Sequence, residues 1–313
     1  MGVPYERGLA EVADGVLAWL QPDGGWGWSN AGLIVDGSDA LLVDTLFDLR
    51  LTAEMLAAMG AATPGVEIGT VVNTHANGDH CYGNQLLADR RIIATRRAAD
   101  EMARVTPSRL AGIVASAPTM GAVGEYVQRI FGAFAFDGIE LTVPTETFDG
   151  SLSLTVGDTR VELLELGPAH TEGDLVAVVP SRRALFAGDL LFIGGHPIVW
   201  TGPVANWIAA LDRILAMDVD VIVPGHGPVT DKAGVAELRA YFVELVDAAR
   251  PLFAAGLSPL DAARRLQIDR AAGWGEAERL VVNVAACFRD FGATDVAVDG
   301  FADMAALASE AQP

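Results

Sequence analysis

Short apolar, β-branched runs punctuated by turn residues dominate the first third of the chain. Gly32–Val35, the polar stretch Asp36–Asp39 and Ala40–Asp44 read as a strand, a tight turn and a strand, so a hairpin is predicted. Leu51, Met55, Leu56 and Met59 recur at helical spacing, and Gly69–Asn73 is a buried-strand run that stops at Thr74 and His75. From Thr95 to Phe136 the texture turns Ala- and Arg-rich, with helical stretches Arg96–Val105 and Ala122–Phe134 broken at Pro107 and Pro118. This predicts a helical insertion over about 96–136. Strand texture returns in Ser151–Val156, Arg160–Leu166, Leu175–Val179 and Ala184–Phe186. Trp207, Ile208, Leu211, Ile214 and Leu215 then mark an amphipathic helix before the strand Val219–Val223. Beyond Asp231 the pattern is helical to about Asp290, followed by a weakly patterned tail; no internal repeat or low-complexity tract stands out.

Composition narrows the class. The 313 residues are 51% hydrophobic, without an apolar run near the roughly 18–20 residues of a membrane-spanning helix, which points to a globular, non-membrane protein. Length leaves two domains or one domain with an appendage equally open. Twenty-one Lys+Arg against 41 Asp+Glu give a formal charge of −20, which repels nucleic acid and anionic membrane surfaces. Cys81 and Cys287 lie far apart, and Met1–Leu20 carries acids inside its apolar stretch where a secretion signal has a basic start. The expectation is a cytoplasmic protein with free thiols.

Chemistry enters with the histidines. Of five in the chain, His75, His80, His170 and His226 stand in loops that follow strand-like runs. A lone histidine is more often a satisfied polar residue than a ligand, but four such placements together point to a metal. Thr74–His80 puts two imidazoles and the Asp79 carboxylate on one Gly-containing turn, a mixture that suits a borderline cation such as zinc. His170 lies in a turn-rich loop, Asp189 is read as ending a strand, and His226 stands between two glycines that let backbone crowd close to an ion.

These segments, in this order, resemble the metallo-β-lactamase-fold hydrolase superfamily over roughly residues 25–230. The family's pattern is a His-x-His-x-Asp-His loop, a lone His after a strand, a strand-terminal Asp and a Gly-His-Gly type loop. The resemblance implies an α/β fold, a four-layer αββα sandwich with the helical insertion and a helical C-terminal segment. A catalytic domain would span 1–230, with 231–313 as an extension packed on it. It also implies one or two Zn2+ ions, Fe or Mn not being excluded. His75, Asn77 and His170 would face a first metal; Asp79, His80 and His226 a second; Asp189 would bridge. Asn77 departs from the family's second histidine. Since an amide oxygen is a poorer ligand than imidazole, three states stay open: two metals with a weak first site, one metal in the second site, or a degenerate centre.

By the same resemblance the catalyst would be metal-activated water attacking the carbonyl of a small ester, lactone, thioester or amide-like substrate. Asp79 would orient that water and help protonate the leaving group, with Asp44 supporting an imidazole. His196, seven residues past Asp189, is a candidate substrate contact or proton shuttle at the pocket mouth. Trp26 and Trp28 fit either a substrate clamp or core packing; Cys81 reads as a small buried residue. The insertion could cap the site for a medium-sized, partly apolar substrate, and the C-terminal helices could form a second wall or a homodimer surface. The absence of a secretion signal argues against a β-lactamase proper, the charge against a nuclease, and Asn77 against direct transfer of glyoxalase II activity. Alternatives to hydrolysis are a metal-dependent lyase or cyclase, a mono-iron oxidoreductase, and a non-catalytic binding protein.

Overall fold

A computed structural model describes residues 3–294, 296 and 298–310. The N-terminal stretch, to which the hydrophobic pattern assigns no element, forms a hairpin of β1 (Gly8–Ala13) and β2 (Val16–Leu20). Strand β2 pairs antiparallel with β3 (Ala31–Asp36), and β3 with β4 (Asp39–Val43), the predicted hairpin. Helix α1 (Leu49–Ala62) starts where the Asp48 carboxylate accepts a hydrogen bond from the Leu51 N–H at 2.7 Å, and it buries Leu51, Met55 and Met59. It carries the chain back to β5 (Glu67–Val72), parallel to β4. A single turn, α2 (Gly78–Cys81), precedes β6 (Arg91–Thr95).

The insertion then folds as α3 (Arg96–Met102), α4 (Pro107–Ser116) and α5 (Ala122–Phe131) before β7 (Glu146–Phe148) closes a seven-stranded sheet in sequence order. Pro107 begins a helix here, where the sequence pattern treats it as a break. At the first helical position its missing N–H has no intrahelical partner to lose and its fixed φ suits the turn.

The second sheet holds β8 (Ser151–Val156), β9 (Thr159–Glu165), β10 (Leu175–Val179), β11 (Ala184–Phe192) and, after helix α6 (Val204–Ala216), β12 (Val221–His226), in the order β12-β11-β10-β9-β8. Neighbouring residues on one strand serve different cores. Ile34, Leu41, Val72, Ile93, Ala177 and Phe186 meet between the sheets, while Leu33, Leu42, Val71, Ile92, Val176 and Leu185 face the helices. Burial on both faces is why these strands read as unbroken apolar runs. Helix α1 packs on the first sheet, and α6 and α7 (Lys232–Ala254) pack on the second, giving the αββα layering. Helices α8 (Pro259–Arg265) and α9 (Leu280–Asp290) follow, with α9 buried along Val281–Phe288. The tail read as weakly patterned contains a further helix, α10 (Gly300–Glu310), which buries Met304, Ala305 and Ala308; residues 311–313 of that tail, like residues 1–2 of the N-terminal stretch, lie outside the described residues. Among the described residues no helix is long and apolar enough to cross a membrane.

Candidate metal centre

The C-terminal ends of β4 and β5, the β9–β10 loop and the adjoining ends of β11 and β12 meet at one edge between the sheets. His75 and Asn77 lie in the loop after β5, Asp79 and His80 on α2, His170 between β9 and β10, and His226 is the last residue of β12. Asp189 does not end its strand as expected. β11 runs on to Phe192, and its pairing with β12 shifts register on both sides of Gly188, which adopts φ 51°. That irregularity turns the carboxylate out of the sheet and into the cluster. A Cβ at Gly188 would stand 2.5 Å from Thr74 Oγ1, and one at Gly225 1.9 Å from Asp189 Oδ1, so both glycines are required by close approach.

Asp189 is the hub. Its oxygens lie 3.7 Å from His75 Nε2, 3.1 Å from His80 Nε2, 3.3 Å from His170 Nε2 and 3.5 Å from His226 Nε2. Asp79 Oδ2 lies 3.3 Å from His226 Nε2, and Asn77 Nδ2 is 3.2 Å from His170 Nε2. All seven residues expected as ligands therefore converge. Two triads, His75/His80/Asp189 and Asp79/His80/His226, each bring their ligand atoms within 4.8 Å of one another. His80 stands in both, so the partition of ligands between two ions is less sharp than the resemblance implies. Asn77 turns its amide nitrogen, a donor, toward His170; only its oxygen could ligate a cation.

The far side of every ring explains why all four Nε2 atoms point inward. His80 Nδ1–H donates to Asp44 Oδ2 at 2.9 Å, His170 Nδ1–H to the Ile198 carbonyl at 2.7 Å, and His226 Nδ1–H to the Gly24 carbonyl at 3.1 Å. His75 Nδ1–H donates to Thr74 Oγ1 at 3.0 Å, and that hydroxyl donates to Asp44 Oδ2 at 2.7 Å. With Nδ1 committed as a donor, each ring in its neutral form would present a lone pair at Nε2, the arrangement that outer hydrogen bonds impose on metal-binding histidines.

Protons alone serve this cluster poorly. His75 Nε2 is buried without a hydrogen-bond partner, which ordinarily costs about 1–3 kcal/mol, and His80 Nε2 and Asp189 Oδ1, though 3.1 Å apart, are not aligned as donor and acceptor. Burial, with His80 adding repulsion, pushes the His75 imidazole well below its usual range. Burial also opposes charge on Asp189, yet His226, His80, His75 and His170 hold its carboxylate well below the usual range. Against burial, Asp189 and Asp79 raise the His80 imidazole and lift that of His226 to about 9, so without an ion two of the four rings hold protons that a divalent cation would displace. The donor set fits zinc or a similar borderline metal.

A cavity of about 420 Å³ opens above the cluster, reaching Asn77, Asp79, His170, Asp189 and His226. Its walls are mainly apolar: Phe47 and Tyr82 from the first-sheet side, Ile113 and Phe131 from the insertion, Trp200 from the loop after β11, and Phe301 from α10. The insertion caps the site and the C-terminal segment supplies a second wall. Trp26 lines the cavity, while Trp28 packs against Phe134 at 4.8 Å between centroids. Cys81 is buried, its thiol bonded to the Ala76 carbonyl. His196 is not among the residues lining this cavity. It is buried with Nδ1 3.0 Å from the Tyr241 hydroxyl and its ring edge-on to Tyr241 and Trp274. That placement takes it away from the pocket mouth.

Two residues escape the sequence reading. Asp174 folds the His170 loop by accepting from the Ala169 and Thr171 N–H groups and the Thr171 hydroxyl, while burial raises its carboxyl to about 7. Its signal is local: an Asp three residues past a Thr in a turn-rich loop. Arg279 lines the cavity from the residue before α9 and carries no local signal.

A family model described as the metallo-beta-lactamase superfamily matches residues 24–226. The chain is 32% identical over 116 residues to the linear primary-alkylsulfatase of Pseudomonas sp., which covers 34% of this chain and 22% of that one. It is 24% identical over 231 residues to the 2,4-dinitroanisole O-demethylase subunit alpha of Nocardioides sp., covering 71% of this chain and 56% of the relative. The structure of a stereoselective inverting sec-alkylsulfatase from Pseudomonas sp. superposes with a TM-score of 0.70 at 18% identity, over 92% of this chain and 51% of the other, a likeness of fold. The chain therefore spans between 22% and 56% of the length of these relatives.

Proposed function

This chain belongs to the metallo-beta-lactamase superfamily, and on that footing we propose that it is a zinc-dependent hydrolase of small, partly apolar esters, lactones, thioesters or amide-like compounds. The observation that carries this reading is the ring of four inward Nε2 atoms around Asp189, each fixed from behind. His75, His80, His170, His226, Asp79 and Asp189 would hold the metal, with Asn77 at the edge of the first position. When bound, such a metal supplies activated water at neutral pH and a Lewis acid for the charge developing on the substrate.

The chain's own residues do the rest. Asp79 reaches the cavity floor beside His226, where its carboxylate can accept a proton from the attacking water and pass it to the leaving group. Phe47, Tyr82, Phe131 and Trp200 grip an apolar body and keep bulk water out. The test is elemental analysis of protein purified without added metal, followed by an ester, lactone and thioester panel. Sulfate esters and aryl ethers join it because relatives are named for such substrates. Expected are one to two zinc per chain and turnover that chelation removes and zinc restores. Protein that binds only trace metal, or turnover indifferent to chelation, overturns the reading.

A further inference from the structure

Arg279 is 2% exposed, yet no carboxylate approaches its guanidinium within 4.0 Å among the described residues. Nη1 donates to the His196 carbonyl at 2.8 Å, its one hydrogen bond there, and Nε is buried without any partner. Two carboxylates flank it in sequence, and neither makes an ion pair with it: the Arg279 charge acts on Glu276 from beyond 4.0 Å, opposing the rise that burial gives that carboxyl, and Glu278 Oε1 accepts from Trp26 Nε1 at 3.1 Å and from the Tyr126 hydroxyl at 3.2 Å, with Arg129 Nη2 at 3.5 Å. What holds Arg279 is aromatic. Its Cζ lies 4.3 Å from the Trp26 ring centroid and 5.5 Å from that of Phe192.

A buried, unpaired guanidinium is expensive and is poor evidence of a stabilising role. Here it lines the same cavity as His170, Asp189 and His226, in a wall otherwise mainly apolar. A planar fork with an unused Nε–H matches an oxyanion. We propose that Arg279 is a substrate-binding residue that selects an anionic group, a carboxylate or sulfate carried on an apolar body, and holds it in the cavity that the hydrolytic centre opens into. This rests on the hydrolase reading for the site's chemistry and adds the substrate class: an amphiphilic anion, even though the protein's net charge of −20 repels anions at long range. His196 and Tyr241 then acquire a role. They fix the carbonyl that orients Arg279, so they are positioning residues.

The test is binding of decanoate, decyl sulfate and decanol to the zinc-loaded protein, read by Trp fluorescence and calorimetry, in wild type, Arg279→Gln and Arg279→Met. Both anions should bind wild type about 10–100-fold more tightly than decanol, and both variants should lose that margin while decanol affinity stays. The variants should unfold at the same or higher urea concentration than wild type, because an unpaired charge is removed; a purely structural arginine predicts loss of stability instead. Equal binding of anion and alcohol by wild type overturns the proposal without any variant. An anion margin unchanged in Arg279→Gln and Arg279→Met assigns it to the metal or to Arg109, which lines the same cavity, and overturns the proposal too. Preference for decanoate over decyl sulfate, or the reverse, identifies the oxyanion. Hydrolysis without an anion margin sinks this inference alone, whereas an Arg279-dependent margin in a protein that hydrolyses nothing sinks the hydrolase reading alone.

Discussion

His80 donates its Nδ1–H to Asp44 at 2.9 Å, and Asp44 itself stands in the left-handed backbone region at φ 63°. A non-glycine residue in that region carries strain of about 1–3 kcal/mol, which the surroundings must offset. They do so through Thr74, whose N–H and hydroxyl both donate to the same carboxylate at 2.7 Å. One acid therefore orients His80 directly and His75 through a hydroxyl. Asp44→Asn should weaken zinc binding about 10–100-fold, measured by competition with a chromogenic chelator. Unchanged affinity means the rings are held by packing alone.

Asp189→Ala removes the hub that faces all four rings. Metal content and turnover should fall together by at least about tenfold, checked by elemental analysis beside the best substrate from the panel. Full activity in this variant contradicts the assignment of the centre.

Asn77 stands 3.2 Å from His170 Nε2 with an amide where the resemblance expects a ring at the proposed first metal position. Asn77→His should raise metal stoichiometry toward two per chain or strengthen the weaker site about tenfold. Stoichiometry and affinity that do not move place the limit in the loop's backbone.

Gly188→Ala would force a Cβ to 2.5 Å from Thr74 Oγ1 at a φ of 51° that L residues avoid. Overpacking and left-handed strain together predict a loss of about 2–4 kcal/mol, read from the urea midpoint. A loss below about 0.5 kcal/mol would show that the β11 irregularity relaxes freely.

Burial, reinforced by the Arg279 charge, lowers the His196 imidazole to about 4, under the roughly 6.5 of an unfolded chain. The unfolded chain therefore takes this proton first. The contribution to stability is complete above about pH 6.5 and is lost as pH falls toward 4. Between pH 7.5 and 5 it amounts to about 2 kcal/mol, and His196→Asn should reduce the acid-induced fall in the urea midpoint by that share. Identical pH slopes in the two proteins refute a neutral, buried His196.

The elements with strong periodicity were legible because one physical demand, burial, shaped them. Leu51, Met55 and Met59 line one face of α1, and the run Val219–Val223 anticipates β12. The four clustered histidines were legible because they stand at or beyond the ends of apolar strands, where packing has no use for an imidazole. Three features were not. Pro107 opens a helix in one context and breaks one in another, and only the flanking chain decides. Asp189 sits inside a strand that bends at Gly188, a tertiary adjustment to Thr74 that leaves no periodic mark. Nearness in sequence to Asp189 does not bring His196 into the cavity, while Arg279, which no local pattern marks, reaches it from 90 residues beyond Asp189.

The residues that would face a metal lie between His75 and His226, whereas Arg279 and Phe301, which line the cavity, lie C-terminal to them. On the proposed reading, synthesis from the N-terminus presents the ligands first, so an ion would reach them while the cavity still lacked the wall that Arg279 and Phe301 supply. Cofactor capture and substrate choice would then be separated in time by the order of residues.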